Sequence, residues 1–391
     1  MVKFKRKRKR PSLIIFVIEM VIFLLLTTGV FAYAKITESF DNFEKSSYPN
    51  AQSQENGSEN GEGQMIQSEK IEINEGVTGN SHLSGFRNIA LVGIDNREET
   101  LEWGNSDTMM IASINNDTQS VKICSLYRDT YLKVGDETYD KANSAYNLGG
   151  ANKFLSMLNK NLDLTITDYV VVNFNAVAQL VDDLGGIAIT MTAEEVTHMN
   201  NYCVETSEKT GRDYTPISPE VAGTYELNGV QAVSYARIRY TAGNDFKRTQ
   251  RQRLVISKII EKAKIKGLAS YSAIVNDVFP LIKTNLSKAE IVELGSQIFN
   301  YEISDTTGFP FIHVEDNIGD LDPVIPVTLE QNVKELHQWL FDVADYEPSA
   351  DVKEISDNIC NNSGYGPEYI EKARGWSEDA LVAAGSEADN M

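Results

Sequence analysis

Short apolar runs bounded by turn-forming residues recur from residue 86 onward, and they predict β-strands. The runs FRNIALVGID, DTMMIASIN and SVKICSLYRD begin at Phe86, Asp107 and Ser120. The turn-forming sequence NNDTQ separates the second run from the third. Two further runs, DYVVVNF and IAITM, begin at Asp168 and Ile187. These five segments predict the strands of a sheet.

Helical patterns alternate with these strand patterns. They are KANSAYNLGGANKFLSMLNK, NAVAQLVDDLGG, LNGVQAVSYA and DFKRTQRQRLVISKIIEKAK, with two more near residues 288–299 and 329–343. The stretch between IAITM and LNGVQAVSYA is mostly polar and is interpreted as an insertion. Alternation of strands and helices at this spacing predicts an α/β fold, with a central mixed β-sheet sandwiched by helices.

A basic segment and a long apolar segment precede this region. Residues 1–11 contain seven Lys or Arg residues, and residues 12–34 are apolar except for Glu19 and a few small polar residues. About 20 apolar residues span a bilayer as a helix, and the positive-inside rule places the N-terminus in the cytoplasm. The pattern therefore predicts a single-pass protein of the cell membrane whose remaining residues are extracellular. The alternative is a signal peptide cleaved after AYA, although the apolar segment exceeds a typical signal sequence.

Composition changes again on either side of the predicted domain. Residues 35–85 are rich in Gly, Asn, Ser and Glu and predict a flexible stalk. The folded domain is expected over residues 86–346. The tail over residues 347–391 is acidic and weakly patterned, which predicts disorder.

Charge limits the classes of partner. The chain carries a formal net charge of −20, and without its basic N-terminal segment it is more acidic still. Such a field disfavours binding to nucleic acid. The three cysteines show no metal-binding spacing; Cys124 is expected in the core, and a Cys203–Cys360 disulfide stays open.

One stretch opposes the overall charge. YARIRYTAGNDFKRTQRQR, residues 235–253, contains six Lys or Arg residues and a single acid, Asp245. In an extended segment Arg237 and Arg239 would point the same way, and on a helix Arg248 and Gln252 share a face. Guanidinium groups match phosphate oxygens bidentately, so the stretch predicts a phosphate-binding cradle. The alternative is a solvated helix face, and Arg253 is expected to point away from the site.

Carboxylates at the ends of predicted strands complete a candidate site. Asp95 ends the first strand and Asp107 begins the second, while Arg128 follows the third. Ligands of α/β folds commonly bind at strand ends. Mg²⁺ typically takes one or two protein carboxylates together with phosphate oxygens. The pattern therefore predicts a magnesium–diphosphate site.

Eight collinear segments resemble the LytR–CpsA–Psr family over roughly residues 86–262. They are NIALVGIDNR, SDTMMIASIN, SLYRDTYL, KANSAYNLGG, YVVVNF, LVDDLGGI, LNGVQAVSYARIR and DFKRTQRQR. The resemblance implies an extracytoplasmic phosphotransferase of Gram-positive bacteria. Such enzymes use Mg²⁺ to move a glycopolymer, such as wall teichoic acid or capsule, from a polyprenyl diphosphate carrier to peptidoglycan.

The resemblance also implies roles for individual residues. Asp95 and Asp107 would hold the metal, and Asp245 would orient the arginine cluster. The residues implied to bind the diphosphate are Arg128, Arg237, Arg239, Arg248 and Gln252. Arg128, Arg237 and Arg239 are also implied in catalysis with the two metal-binding acids.

The chain departs from the family at Asn105, where an Arg is usual, and Lys141 is a candidate to compensate as a diphosphate contact. No histidine lies in the motifs, so a general base would be a carboxylate. Two alternatives remain open. The chain could be a polyprenyl-diphosphate phosphatase, or a lipid-binding attenuator of cell-envelope genes without catalytic activity.

Overall fold

The computed structural model of the chain describes residues 70–94, 101, 104–239, 244–266, 274 and 276–375. The predicted anchor, most of the predicted stalk and the candidate metal ligand Asp95 lie outside these residues. Among the helices described, none is long and apolar enough to cross a bilayer.

Six of the described strands form one mixed sheet. They are β1 Phe86–Ile94, β2 Ser106–Asn115, β3 Ser120–Leu126, β6 Asp168–Val172, β9 Ile282–Thr284 and β10 Glu302–Phe309. Their order across the sheet is β10-β3-β2-β1-β6-β9. β1 is antiparallel to β2 and parallel to β6, whereas β3 is antiparallel to β2 and parallel to β10. The prediction of a central mixed sheet is confirmed.

Three smaller sheets, each a pair of antiparallel strands, accompany it. They are formed by β4 Tyr131–Lys133 with β5 Tyr139–Lys141, β7 Ile187–Met191 with β8 Gly223–Leu227, and β11 His313–Glu315 with β12 Val324–Pro326. The run IAITM is a strand as predicted, but it belongs to the second of these pairs.

Helices cover both faces of the central sheet. In chain order they are α1 Ser81–Ser84, α2 Ser144–Leu162, α3 Phe174–Asp183, α4 Ala193–Thr210, α5 Gly229–Arg237, α6 Asn244–Lys266, α7 Lys288–Ser296, α8 Leu329–Phe341 and α9 Ala350–Ser363. Alternate residues of β1 face opposite sides. Ala90 and Val92 join the core beneath α2, α8 and α9, whereas Ile89 joins a second core that includes Ile256 of α6.

The interpretation of the polar stretch after β7 as an insertion is wrong. Residues 193–210 form α4, which begins with a capping box between Thr192 and Glu195. Val196, Met199 and Cys203 are buried at helical spacing and pack against β7, β8 and α5. The many acids and amides on the opposite face hide this narrow apolar stripe in the sequence.

The predicted disorder of the tail is wrong for residues 350–363, which form α9. Val352, Ile355 and Ile359 of this helix are buried in the core shared with α2 and α8. The three cysteines are unpaired, so the disulfide left open in the sequence is not formed, and Cys124 is buried as expected.

The end of the predicted stalk is also ordered. From Lys70 the chain packs on the domain, and Asn74, Val77 and Leu83 are buried. The Asn74 amide donates to the Asp163 carboxylate at the end of α2. The folded domain therefore begins before β1.

Candidate functional site

Asp107 and Arg128 meet at the end of the central sheet. Asp107 is the second residue of β2, and Arg128 follows β3, the neighbouring strand. Arg128 Nη1 donates to Asp107 Oδ1 over 2.8 Å. Burial alone would raise the pKa of Asp107, but the hydrogen bond from Arg128 and the charges of Arg248 and Arg239 hold it below its ordinary value. Asp107 is therefore a carboxylate at neutral pH.

Helix α6 brings two more predicted residues to this point. Arg248 Nη2 lies 3.0 Å from Asp245 Oδ1 and donates to the backbone oxygen of Asp107 over 3.2 Å. Arg239 Nη2 lies 3.7 Å from Asp107 Oδ2, and Arg128 Nε lies 3.6 Å from Asp245 Oδ1. Asp245 thus lies between Arg248 and Arg128, and its orienting role stays a prediction.

Lys141 reaches the same group of side chains through a neighbour. Its ammonium lies 3.6 Å from Asp129 Oδ1, and Asp129 Oδ2 lies 3.4 Å from Arg128 Nε. The sequence analysis assigned no role to Asp129. We refer to Asp107, Arg128, Asp129, Arg239, Asp245 and Arg248 as the charged cluster.

Arg237 does not share these contacts. Its Nη2 lies 2.8 Å from Glu205 Oε2 and its Nη1 donates to Thr206, both on α4. Its guanidinium also lies over the Phe174 ring, 4.7 Å from the centroid. The expectation that Arg237 and Arg239 point the same way is wrong, because α5 extends through Arg237 and only the next residues are extended.

Arg253, which was expected to point away from the site, is buried rather than solvent-exposed. Arg248, Arg251 and Arg253 are 2%, 4% and 7% exposed, so three arginines of α6 are buried. Arg251 is paired with Glu195 over 2.9 Å. The alternative reading of this stretch as a solvated helix face is therefore wrong.

Several buried polar atoms at the cluster lack a hydrogen-bond partner among the described protein atoms. They are the donors Arg128 Nε and Arg248 Nε and the acceptor Asp245 Oδ1. The side-chain oxygen of Gln252, one helical turn after Arg248, is also buried without such a partner. Burial, with like charges on Arg239 and Arg128, lowers the pKa of Arg248 to about 10 despite the opposing effect of Asp245. Arg248 stays cationic at neutral pH, and an anion that accepted from these donors would relieve an unfavourable arrangement.

The donor set is compatible with a metal ion that has few protein ligands. Among the described residues, Asp107 Oδ2 has only the 3.7 Å contact with Arg239, so this oxygen retains coordination capacity. Asp95, the other predicted ligand, follows the last described residue of β1. Within the residues described, no group of three or more His, Cys, Asp or Glu side chains could enclose a metal. Mg²⁺ takes one or two carboxylates and completes its shell with water and phosphate oxygens, and its binding at this site stays a prediction.

An aromatic group that sequence reasoning missed borders the cluster. The rings of Tyr127, Phe246 and His313 pack together, with centroids 4.6 to 5.6 Å apart. Tyr127 precedes Arg128 and Phe246 follows Asp245, so the rings fix the backbone on both sides of the ion pairs. The adjacency of both aromatics to charged motif residues was the available signal.

Comparison with known proteins places these residues in a wider context. The sequence pattern of the LytR–CpsA–Psr family matches residues 46–315. Biofilm regulatory protein A of Streptococcus mutans is 34% identical over 210 residues, which cover 51% of this chain and 49% of that protein. The polyisoprenyl-teichoic acid–peptidoglycan teichoic acid transferase TagU of Enterococcus faecalis is 34% identical over 203 residues, which cover 51% and 61%.

The match therefore spans about half to three fifths of the length of these two relatives. Among solved structures, TagT bound to LI-WTA superposes with a TM-score of 0.52 at 23% identity. That match covers 66% of this chain and 92% of TagT, and it shows a shared fold.

Proposed function

Because the chain belongs to the LytR–CpsA–Psr family, we propose that it is a phosphotransferase that moves a glycopolymer from a polyprenyl diphosphate carrier to peptidoglycan. The observation that carries this proposal is the charged cluster itself. Arg128, Arg239 and Arg248 converge on two carboxylates, and buried guanidinium N–H groups there lack hydrogen-bond acceptors among the described residues. A diphosphate supplies the acceptor oxygens and negative charge that these groups require.

The relatives support this choice of substrate. The E. faecalis relative is named as a transferase of teichoic acid from a polyisoprenyl carrier to peptidoglycan, and TagT has been solved bound to LI-WTA. We extend that substrate class to this chain because the arginines that meet at the cluster lie in the segments that resemble the family.

The chemistry would be a phosphoryl transfer. An acceptor hydroxyl of peptidoglycan attacks the phosphorus that bears the glycopolymer, and the bond from that phosphorus to the bridging oxygen breaks. The products are a phosphodiester between glycopolymer and acceptor, and polyprenyl monophosphate; the hydroxyl proton leaves to a base. Positioning and charge neutralisation are the main catalytic devices of such transfers. The arginines of the cluster would stabilise charge on the leaving phosphate.

Mg²⁺ belongs to the proposal as well. Asp107, with Asp95 beyond the described part of β1, would hold the ion, which would neutralise phosphate charge when bound. The membrane anchor over residues 12–34 and an extracellular position of the domain also stay predictions. They agree with a carrier that is itself a lipid.

The proposal is tested by measuring how variants bind and cleave a short-chain prenyl diphosphate. Arg128→Gln and Arg239→Gln should each weaken binding about ten- to a hundredfold, since each removes a charge-assisted hydrogen bond. Arg212→Gln is a matched control, because Arg212 pairs with Asp182 outside the cluster. Equal binding by all three variants and the unchanged protein would contradict the assignment.

One relative favours a different function. The S. mutans protein is named as a biofilm regulator, which agrees with a lipid-binding protein that affects gene expression. Formation of polyprenyl monophosphate by the purified protein would separate the enzyme from that alternative. Formation of that product without an acceptor would identify a phosphatase.

A further inference from the structure

Arg253 is a buried cation for which the cluster gives no role. It lies on α6 five residues after Arg248, about 7.5 Å further along the helix axis and about 140° around it. It is 7% exposed, and its Nε and Nη1 have no hydrogen-bond partner among the described residues. An arginine buried without a partner is costly, so its position demands an explanation.

The packing of α6 shows where Arg253 points. Ile256, three residues later on the same helix face, packs in the core that contains Ile123 of β3. Phe246, at the start of the helix, packs on Tyr127 just after β3. Helix α6 therefore runs antiparallel to β3, and Arg253 lies between these two contacts, beneath the helix and towards the sheet.

Two hydroxyl groups lie on the face of β3 towards Arg253, and each can donate a hydrogen bond. Tyr127 and Ser125 lie on one face of this strand, and Ser125 Oγ is buried without a partner in the described structure. Gly308 of β10 pairs with Ser125. A Cβ at Gly308 would lie 2.2 Å from the Tyr127 hydroxyl, so the phenol extends across this glycine. Guanidinium, phenol and hydroxyl can all donate to one acceptor.

Among the described residues, no acidic side chain forms an ion pair with Arg253. The groups whose charges act on it are Tyr127 and Cys124. Burial raises the pKa of each to about 12, so both are uncharged at neutral pH. Burial also lowers the pKa of Arg253 itself, against the small opposing effects of these two groups, yet an arginine retains its proton at neutral pH.

We propose that Arg253, Tyr127 and Ser125 form a buried oxyanion subsite beneath helix α6 that accepts a phosphate-class group. The subsite adjoins the charged cluster, since Tyr127 precedes Arg128 in the chain. This inference rests on the proposed function for its ligand, which is a second phosphate contact of the diphosphate carrier or a free phosphate ion. It gives α6 two anion-binding sides, one at Arg248 and one at Arg253.

The test combines stability and ligand binding in the full-length protein. Arg253→Met removes the charge and keeps the length of the side chain. Without ligand, its melting temperature should equal or exceed that of the unchanged protein, because an unpaired buried charge is replaced by an apolar group. Arg251→Met is the matched control for this arm. It leaves Glu195 unpaired, so its melting temperature should fall.

The ligand arm uses inorganic phosphate and farnesyl diphosphate as probes. Arg253→Met should bind at least one of them about ten- to a hundredfold more weakly, and Arg253→Lys should recover part of the loss. A loss confined to farnesyl diphosphate would identify the carrier as the source of the anion, whereas an equal loss for inorganic phosphate would identify a free ion. Arg87→Met, at the opposite end of β1, should leave both affinities unchanged.

Two results would overturn the inference: unchanged affinity for both probes, or a melting temperature for Arg253→Met as low as that for Arg251→Met. The second result would mean that Arg253 has a structural role. If Arg253→Met binds normally while Arg248→Gln does not, only the subsite is rejected. If the unchanged protein binds neither probe, the proposed function itself fails.

Discussion

Two buried polar regions at different places in the fold differ in how fully their carboxylates are hydrogen-bonded. Asp163, at the end of α2, is fully buried and accepts four hydrogen bonds, from Asn74, Tyr346 and twice from Ser349. We call these four residues the Asp163 network. Asp107 in the charged cluster is a quarter exposed, and its Oδ2 has only a 3.7 Å contact with Arg239 among the residues that the structure describes.

The difference lies in unused hydrogen-bonding capacity. The oxygens of Asp163 are saturated by neutral donors, which join residue 74, the end of α2 and the start of α9. The charged cluster instead retains buried donors, at Arg128 and Arg248, for which the described part of the chain provides no acceptor. A saturated network stabilises one conformation, whereas an unsaturated one favours a ligand. The two regions should therefore respond differently to substitution.

The largest effect is expected at Asp163. Asp163→Ala would leave the buried donors of Asn74, Tyr346 and Ser349 without their acceptor, at a cost of about 1–3 kcal/mol each before relaxation. We expect a loss of about 4 kcal/mol in the free energy of unfolding, measured by urea denaturation. Binding of prenyl diphosphate by the protein that stays folded should not change. A loss below 1 kcal/mol would show that water replaces the carboxylate readily.

Lowering the pH should also destabilise the protein through a histidine beside the Asp163 network. His337 stacks on Tyr346 with a centroid distance of 3.6 Å. Burial lowers its pKa to about 4, against opposing effects of the Leu162 carbonyl and Asp163, and His82 lowers it further. The unfolded chain takes up the proton first as the pH falls below 6.5, so stability is lost between about pH 6.5 and 4. The full loss from this residue is about 3 kcal/mol.

His337→Phe provides the check on that pH dependence. The variant should be less stable at pH 7, because the Leu162 carbonyl loses its hydrogen bond with the imidazole. Its stability should fall less steeply between pH 6.5 and 4 when unfolding is followed at a series of pH values. An unchanged slope would assign the pH dependence to other groups, such as the buried His313, whose pKa burial also lowers to about 4.

A smaller effect on stability, but a clear one on binding, is expected at Arg248. Arg248→Met removes a guanidinium whose burial is only partly offset by Asp245. We expect stability within about 1 kcal/mol of the unchanged protein and diphosphate affinity reduced ten- to a hundredfold. Calorimetric titration with a short-chain prenyl diphosphate measures the second quantity. Normal diphosphate affinity together with a large loss of stability would mean that Arg248 has a structural role, as the residues of the Asp163 network do.

The smallest effect is expected for an exposed ion pair that belongs to neither region. Lys258 and Glu261 lie 2.8 Å apart on the solvent side of α6. Lys258→Ala should change the free energy of unfolding by less than about 0.5 kcal/mol, because water screens exposed pairs. A larger change would mean that even an exposed ion pair contributes strongly to the stability of this helix. The effects of substitution on stability would then no longer distinguish the Asp163 network from the charged cluster.

Much of the fold was predictable because the sequence pattern carries it. The apolar runs of β1, β2 and β3 are long and end in turn-forming residues, and their lengths agree with the structure to within a few residues. The meeting of Asp107 and Arg128 followed from the rule that strand ends lie together. α9 was missed because its buried residues are few and separated by acids, so the local composition resembles that of a disordered tail.

The directions of the arginines were less predictable. A helical wheel gives the angle between Arg248 and Arg253, but it does not say on which sides of the helix the sheet lies. From the sequence, Arg253 was therefore expected only to point away from the site, and its position facing β3 was not predicted. Arg237 was misjudged because α5 continues to that residue, which sends its side chain to Glu205 on α4.

The start of β1 and the charged cluster lie at opposite ends of this strand. Phe86 begins β1 and Ile94 ends it beside Ser106, about 27 Å away at 3.3–3.4 Å per residue. Thirty-five residues separate the predicted anchor from Lys70, the first described residue of the domain, and they would span at most about 120 Å when fully extended. If the predicted anchor and the proposed lipid carrier are correct, a domain with the start of β1 towards the bilayer would hold the cluster away from the carrier's headgroup. Such a domain would have to reorient on the segment that links it to the anchor before it could act on the carrier.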